Sequence, residues 1–313
     1  MVATFEDGAW RADPGAVRDA LESNRIVYFP VCPLPLPPED TLDFLRRELP
    51  TRLKLKNVSY HPEVDRVSGL EADPETTKRV TETLRGHLRE VESFLRHVTG
   101  DLTHDARVGT CSFRPIEEKG RNLKPHASNE LVHVDAGAYG ATDGDRILRF
   151  FVNVNPTRDR VWATKGSFED MIARHGARAG LLDDAGRLKL RIEKRGGDRV
   201  VSALVAGLAR LNPLATVIDT SPYDRAMRRL HNYMKDDPDF RADMEGYLEV
   251  RFPPLSAWMV FTDGVSHASL EGQFALVTTM IVRRAHMRWP ERAPFNALMA
   301  RAARPLPVHA AQD

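Results

Sequence analysis

The sequence has 313 residues, of which 42% are hydrophobic and 28% are charged. This composition is typical of a soluble globular protein and excludes collagen-like, low-complexity and wholly disordered chains. The formal net charge of +1 provides no overall field that would attract nucleic acid, so we expect no nucleic-acid partner. Two cysteines, Cys32 and Cys111, are too few for a disulfide framework and indicate a reducing compartment.

Several familiar sequence signals are missing. The chain has neither a secretory signal at its start nor an apolar run of the roughly 18 residues that cross a bilayer. It also lacks the GxGxxG, GxxxxGK[ST], HExxH, GxSxG and CxxC motifs. Dinucleotide-binding, P-loop, zincin and serine-hydrolase functions are therefore not indicated.

Helices dominate the predicted structure of the first third, residues 1–104. Pro14 stands near the start of a short amphipathic segment, and a β-branched and aromatic run follows until Pro30 ends it. A proline-rich loop then leads to two further segments with helical spacing of their apolar residues. The predicted helices are residues 14–23, 39–48 and 73–97, and the predicted strand is residues 25–29.

Short strand-like runs separated by turn residues dominate the rest of the chain. VGTCSFRP, NELVHVDA and RILRFFVNVNP come first, and four closely spaced runs follow a helix-like segment over 167–245. Strands without interleaved helices favour antiparallel sheets, as a sandwich or a barrel, over a parallel doubly wound sheet. We expect one elaborated α+β domain, residues 1–313: an all-β core at 105–285 that contains the helical insertion, and a C-terminal helix and tail at 286–313.

A histidine and an aspartate two residues apart carry the clearest chemical signal. On a strand, His133 and Asp135 would project from one face, whereas Val132 and Val134 would face the opposite layer. The pair alone is a weak signal, but His267 stands at the head of a predicted strand far downstream. Two histidines and one carboxylate form the facial triad of non-haem Fe(II) sites, so we predict that these three residues bind iron. Most of the other histidines are expected at the solvated surface.

A 2-oxoglutarate cosubstrate would need a cation for its far carboxylate. In RILRFFVNVNP, Arg149, Asn153 and Asn155 share one strand face, and the alternate positions are apolar. With the apolar face covered, Arg149 points into a cavity where a buried guanidinium requires an anion; the alternative is a solvated sheet face. Arg114, Arg283 and Arg284 are rival cations, and Thr279 can donate a hydrogen bond. The predicted cosubstrate-binding residues are Arg149, Asn153, Thr279, Arg283 and Arg114.

Basic residues cluster in the predicted insertion, between Arg174 and Arg199. One interpretation is a solvated helix face. The other is a docking surface for phosphate or carboxylate groups of a large anionic substrate. The predicted substrate contacts are Arg146, Asn155, Arg187, Lys189 and Arg191.

Three long sequence blocks resemble the Kdo hydroxylase family, which acts on 3-deoxy-D-manno-oct-2-ulosonic acid. The blocks are HVDAGAYGATDGDRILRFFVNVNP, SPYDRAMRRLHNYMKDDPDF and PPLSAWMVFTDGVSHASLEGQFALVTTMIV, within residues 105–285. The resemblance implies a double-stranded β-helix (jelly roll) oxygenase that uses Fe(II) and 2-oxoglutarate, with ascorbate as reductant. It implies hydroxylation of the 3-position of Kdo in the lipid A inner core of lipopolysaccharide, which gives Ko. The family's metal ligands fall on His133, Asp135 and His267.

The resemblance further implies a Kdo-containing lipid A or precursor as substrate. A protein acting on such a lipid is expected in the cytoplasm, with peripheral contact to the inner membrane. The sequence does not specify an oligomeric state. Two alternatives remain: a 2-oxoglutarate oxygenase that acts on another sugar or small molecule, and a jelly-roll carbohydrate-binding protein whose histidines and aspartate bind no metal.

Overall fold

Two β-sheets and several helices make up the mixed α+β fold. The computed structural model describes residues 1–137, 140–196, 198 and 221–302. Within these residues the strands are β1 (Val2–Thr4), β2 (Ile26–Phe29), β3 (Val58–His61), β4 (Arg66–Ser68), β5 (Arg107–Arg114), β6 (Arg146–Asn153), β7 (Arg160–Thr164), β8 (Leu248–Phe252), β9 (Ala257–Phe261), β10 (Ala268–Glu271) and β11 (Ala275–Val282). The larger sheet has the order β1-β2-β9-β6-β11-β5-β3-β4, and the smaller has the order β10-β7-β8.

The helices of the described residues fall before β5, between β7 and β8, and after β11. None of them combines the length and the apolar character needed to span a bilayer. They are α1 (Ala9–Ala12), α2 (Pro14–Glu22), α3 (Glu39–Arg47), α4 (Pro74–Thr99), α5 (Phe168–His175), α6 (Pro222–Asp236), α7 (Pro238–Ala242) and α8 (Pro294–Ala302).

Helices α2 and α4 cover the outer face of the larger sheet. Each begins with a proline in its first turn, and the preceding aspartate, Asp13 or Asp73, accepts a hydrogen bond from a backbone N–H of that turn. Gly100, at φ 60°, ends α4 in the left-handed region that glycine adopts without strain. The apolar stripe of α4 is buried against the sheet, as the sequence predicts, through Val80, Leu84, Leu88, Val91 and Leu95.

The strands β6 and β11 separate two cores. All eight residues of β11 are buried, and β6 and β5 flank it in antiparallel register. The even-numbered residues of β6 pack under the helices, whereas Phe151 points between the two sheets and contacts Trp258 and Trp162. This alternation, which the sequence predicts, places Arg149 on the inner face as well.

The structure differs from the sequence predictions in three regions. The first third also supplies three short strands to the larger sheet: β1 and β4 form its two edges, and β3 lies between β4 and β5. The run NELVHVDA is not a strand; it makes a single antiparallel bridge. Strand β7 was not predicted, and residues 176–195 of the predicted helical insertion form turns and loops. Helices α5, α6 and α7 lie within that insertion, whereas its residues 197 and 199–220, and residues 303–313 of the tail, lie outside the described residues.

We expect His87 on α4 to make folding sensitive to acid. The residue is 3% exposed, and neither ring nitrogen has a hydrogen-bond partner among the described residues. Burial lowers the pKa of His87 to about 4. Because the unfolded imidazole titrates near pH 6.5, the unfolded chain binds the extra proton, and stability falls as the pH drops from about 6.5 to 4.

The His87→Leu variant should remove this loss. Between pH 7 and 4.5, the free energy of unfolding measured with urea should fall by about 2.5 kcal/mol more in the wild type than in the variant. His97→Leu, an exposed substitution on the same helix, should keep the acid dependence of the wild type. An equal acid dependence in wild type and His87→Leu would contradict the assignment.

Candidate metal centre and its cavity

Backbone hydrogen bonds bring together three side chains from distant parts of the chain. His133 and His267 exchange N–H···O bonds of 3.0 and 2.8 Å, and the Asp135 N–H donates to the Thr262 carbonyl at 2.8 Å. As a result, one ligand atom from each of His133, Asp135 and His267 lies within 4.8 Å of the others. Val134 points away into an apolar cluster that Val132 also contacts, as the alternation predicts.

The two histidines present the same ring nitrogen for binding. Nδ1 of His133 lies 2.7 Å from the Leu131 carbonyl oxygen, and Nδ1 of His267 lies 3.0 Å from that of Val265. A carbonyl only accepts, so each Nδ1 carries the proton and each Nε2 keeps its lone pair. Both partners lie two residues earlier in the chain, so the local backbone sets the orientation of each ring.

Burial and charge favour the protonation states that bind metals. Burial lowers the pKa of His133 and of His267, which keeps both imidazoles neutral. Burial opposes ionisation of Asp135, but the charge of the Arg149 guanidinium, with a hydrogen bond from the Thr262 side chain, outweighs it and holds the pKa of that carboxyl well below its usual range. Two neutral imidazoles and a carboxylate are the donor set that suits non-haem Fe(II), so the residues present fit this ion.

Arg149 holds the carboxylate of the triad. Its Nη2 lies 2.9 Å from Asp135 Oδ2, while Oδ1 of the same carboxylate lies 3.8 Å from His133 Nε2. The partly buried guanidinium thus already has a carboxylate partner, and that partner belongs to the triad. Nε of Arg149 is buried and has no hydrogen-bond partner among the described residues.

The triad opens into a cavity of 370 Å³ between the two sheets. The sheets supply most of the wall, and Trp162 lies against the His267 ring with 5.2 Å between the centroids. Helix α6, the turn at Pro125–Ala127 and the loop before β3 supply the remainder. The lining residues are Lys56, Asn57, Ser59, Ser112, Arg114, His126, Ala127, Asn129, His133, Asp135, Arg149, Phe151, Trp162, His231, Lys235, His267 and Ser269.

The structure brings two of the five predicted cosubstrate residues into this cavity. Arg149 and Arg114 line it from β6 and β5. Thr279 is paired with Arg149 across β11 and β6, on the same face of the sheet, but does not reach the lining.

Arg283 and Asn153 lie outside the cavity. Arg283 is an exposed residue whose Nε makes an ion pair with Asp105 at 2.9 Å. The Asn153 amide donates at 2.9 Å to the carbonyl oxygens of Arg158 and Phe252, which fixes the turn that follows β6. The predicted cosubstrate role does not fit the position of either residue.

Arg146 and Asn155, predicted to contact substrate, have structural partners instead. Arg146 is fully buried, and its Nε donates to Asp263 Oδ2 at 2.7 Å. The carbonyl oxygen of the Asn155 side chain accepts the backbone N–H groups of Thr157 and Arg158 in a turn. Neither residue faces the cavity, because Arg146 lies on the helix-covered face and Asn155 follows the end of β6.

The three basic residues of the insertion that are predicted to contact substrate also lie outside the cavity lining. Arg187 makes an ion pair with Asp183, and Arg191 makes one with Asp198, each at 2.8 Å. Lys189 is exposed. Arg187 is partly exposed and Arg191 is exposed, which fits the interpretation of a solvated surface as well as that of a docking surface.

Sequence reasoning missed the contribution of α6 to the cavity. The expectation of solvated histidines is wrong for His231, whose Nδ1 donates to the Val134 carbonyl at 2.7 Å and whose ring packs on His133. It is also wrong for His87 and His175, which are buried. A signal was present: Lys235 continues the buried stripe of α6, where an apolar residue would be expected.

Comparisons with known proteins find one family model that matches the chain and solved structures that are similar to it. A family model described as 3-deoxy-D-manno-oct-2-ulosonic acid (Kdo) hydroxylase matches residues 10–305. The Kdo hydroxylase KdoO, a non-haem Fe(II) α-ketoglutarate-dependent dioxygenase crystallised with α-ketoglutarate and Fe(III), is 27% identical, with 96% of this chain and 95% of that chain covered and a TM-score of 0.77. A KdoO complex with cobalt(II) is 26% identical, with 98% and 99% covered and a TM-score of 0.78. No curated protein matches the chain.

Proposed function

The chain belongs to the Kdo hydroxylase family, and we propose on this basis that it hydroxylates the 3-position of Kdo with Fe(II) and 2-oxoglutarate. One observation carries the proposal: two neutral imidazoles and one carboxylate converge within 4.8 Å beside a cationic cavity. We further propose that the two facing sheets form a double-stranded β-helix, because the triad and the cavity lie between them.

When bound, iron with 2-oxoglutarate and dioxygen supplies the oxidising power to hydroxylate an unactivated C–H bond. His133, Asp135 and His267 would hold the ion and leave its other positions for cosubstrate and dioxygen. Arg149 keeps the Asp135 carboxylate ionised and oriented. Phe151 and Trp162 contribute apolar wall that excludes water from the reacting groups.

We propose that Arg149 also binds the far carboxylate of 2-oxoglutarate. One edge of its guanidinium pairs with Asp135, and the buried Nε has no partner among the described residues. A guanidinium offers five donors, so it can hold two carboxylates at once. Thr279, beside Arg149 in the sheet, is proposed to support this end of the cosubstrate. Arg114 is the rival cation on the same wall.

Arg149→Met should therefore weaken 2-oxoglutarate binding at least about tenfold, the effect of losing a charge-assisted pair. The measurement is an anaerobic titration of the Fe(II)-loaded protein, followed by the visible charge-transfer band of the chelated cosubstrate. Arg283→Met, at the exposed Asp105 pair, should leave the affinity unchanged. A larger loss in Arg114→Met than in Arg149→Met would assign the carboxylate to Arg114.

We propose that the substrate is a Kdo-containing lipid A or precursor, reached from the cytoplasm by peripheral contact with the inner membrane. The basic residues Arg187, Lys189 and Arg191 support a docking surface for its anionic groups. Replacing all three by glutamine should lower turnover of lipid-linked substrate more than succinate release without acceptor. Equal losses in the two assays would contradict docking.

Mass spectrometry tests the proposed function directly. Kdo-lipid A is incubated with the protein, Fe(II), 2-oxoglutarate and ascorbate, which we propose as the reductant. The expected product gains one oxygen atom on Kdo, the atom comes from labelled dioxygen, and succinate forms in step with it. His133→Ala should give no product. Succinate formation with another sugar but not with Kdo would favour the related oxygenase function, and a wild type without iron binding would favour the carbohydrate-binding protein.

A further inference from the structure

Lys235 is a buried cation that lines the metal-site cavity from α6. It is 2% exposed, and its Nζ donates to the His126 carbonyl at 3.2 Å. Within the described part of the chain, no carboxylate oxygen lies within 4.0 Å of this ammonium. Because an ammonium has three donors, two are left for a ligand. Burying an unpaired charge costs several kcal/mol, so a lysine in this place indicates that an anion enters the cavity.

Contacts on both sides of α6 fix the position of this ammonium. Oδ2 of Asp236, the next residue, accepts a hydrogen bond from His126 Nε2 at 2.6 Å, which connects the end of the helix to the turn at Pro125–Ala127. One turn earlier, His231 donates to the Val134 carbonyl inside the triad segment. These contacts fix the position of α6 relative to the metal site, and with it the position of Lys235.

The described lining of the cavity carries more cations than carboxylates. Among the described lining residues, Lys56, Arg114, Arg149 and Lys235 are cations and Asp135 is the carboxylate. A cosubstrate with two carboxylates uses one on the metal and one on a cation of the sheet wall. A cation supplied by the helix is left for a second anionic molecule.

We propose that Lys235 binds the carboxylate of the sugar acid and thereby positions the sugar for hydroxylation. The inference rests on the proposed function and names the group that recognises the acid. Although burial lowers the pKa of Lys235 to about 8, most of the population keeps its proton at neutral pH. Because 2-oxoglutarate also carries carboxylates, the test measures the binding of the sugar acid and the binding of 2-oxoglutarate separately.

The first arm compares two ligands that differ in one charge: the methyl glycoside of Kdo and the methyl ester of that glycoside. Binding to protein loaded anaerobically with Fe(II) and 2-oxoglutarate is measured by calorimetry. The wild type should prefer the acid over the ester at least about tenfold, the worth of a hydrogen bond to a charged group. Lys235→Met should bind acid and ester equally, and Lys235→Arg should restore part of the preference.

The second arm measures 2-oxoglutarate affinity by the anaerobic charge-transfer titration. Lys235→Met should match the wild type, as should Lys78→Met, an exposed control on α4. Thermal unfolding of each variant checks that the fold is kept, and Lys235→Arg supplies a folded variant that retains the charge.

A full preference for the acid in Lys235→Met would overturn the inference alone while the wild type still hydroxylates Kdo. If that variant also lost affinity for 2-oxoglutarate, the lysine would be assigned to the cosubstrate. A wild type that neither binds nor oxidises Kdo compounds would overturn the proposed function and this inference with it.

Discussion

His267→Ala is expected to abolish iron binding at the triad and to reduce 2-oxoglutarate-dependent turnover by at least about a thousandfold. The reason is that His267 supplies one of three ligands, and two ligands in a site built for three cannot hold Fe(II) with its open positions in place. Iron content after dialysis and the anaerobic charge-transfer band report the loss without relying on turnover. Both should be absent in the variant and present in the wild type.

Two further variants make this prediction specific to the triad. His104→Ala removes an exposed histidine far from the cavity and should leave the iron content and the band unchanged. His231→Ala removes the ring that packs on His133, at 4.9 Å between centroids, and should keep the iron but bind it less tightly. Full iron occupancy in His267→Ala would contradict the assignment of His267 as a ligand.

Asp263→Asn is expected to destabilise the protein by about 3–5 kcal/mol, the usual result of removing one partner of a buried ion pair. Asp263 accepts from Arg146 Nε at 2.7 Å, and both residues are buried. The substitution keeps the shape of the side chain but leaves the guanidinium without its counter-ion. Asn24, which accepts from Nη2 of Arg146 at 2.7 Å, carries no charge that replaces it.

Urea unfolding at pH 7 measures this effect. The exposed pair of Arg251 and Glu249 provides the control, because Glu249→Gln should cost less than about 1 kcal/mol. If Asp263→Asn lost no more stability than Glu249→Gln, a group other than Asp263 would have to balance the buried charge of Arg146. The double variant Arg146→Met, Asp263→Leu should recover most of the loss, since it removes both charges together.

The sequence predicted the elements whose periodicity is strong and local. The helix at 73–97 corresponds to α4, and the alternation in RILRFFVNVNP matches β6, because an apolar stripe or an apolar face must be buried. Short edge strands such as β1 and β4 were missed because three residues carry too little pattern. The parallel pairing of β1 with β2 depends on tertiary contact alone.

For the site, residue chemistry was more informative than secondary structure. His133, Asp135 and His267 come together although the segment around His133 is not a strand, since three backbone hydrogen bonds supply what a strand would. Arg146 was mistaken for a substrate contact because its partner, Asp263, is far away in sequence. Lys235 was missed because a lysine on a helix is usually solvated, although its place in the buried stripe of α6 was a signal in the sequence.

Diffraction at the iron absorption edge, from crystals soaked anaerobically with Fe(II) and 2-oxoglutarate, is the most direct test of the metal centre. We predict one anomalous peak about 2.0–2.2 Å from Nε2 of His133, Nε2 of His267 and a carboxylate oxygen of Asp135, the usual range for metal–nitrogen and metal–oxygen bonds. A fully occupied iron held by other side chains, or a saturated soak with no peak between these three, would contradict the metal centre.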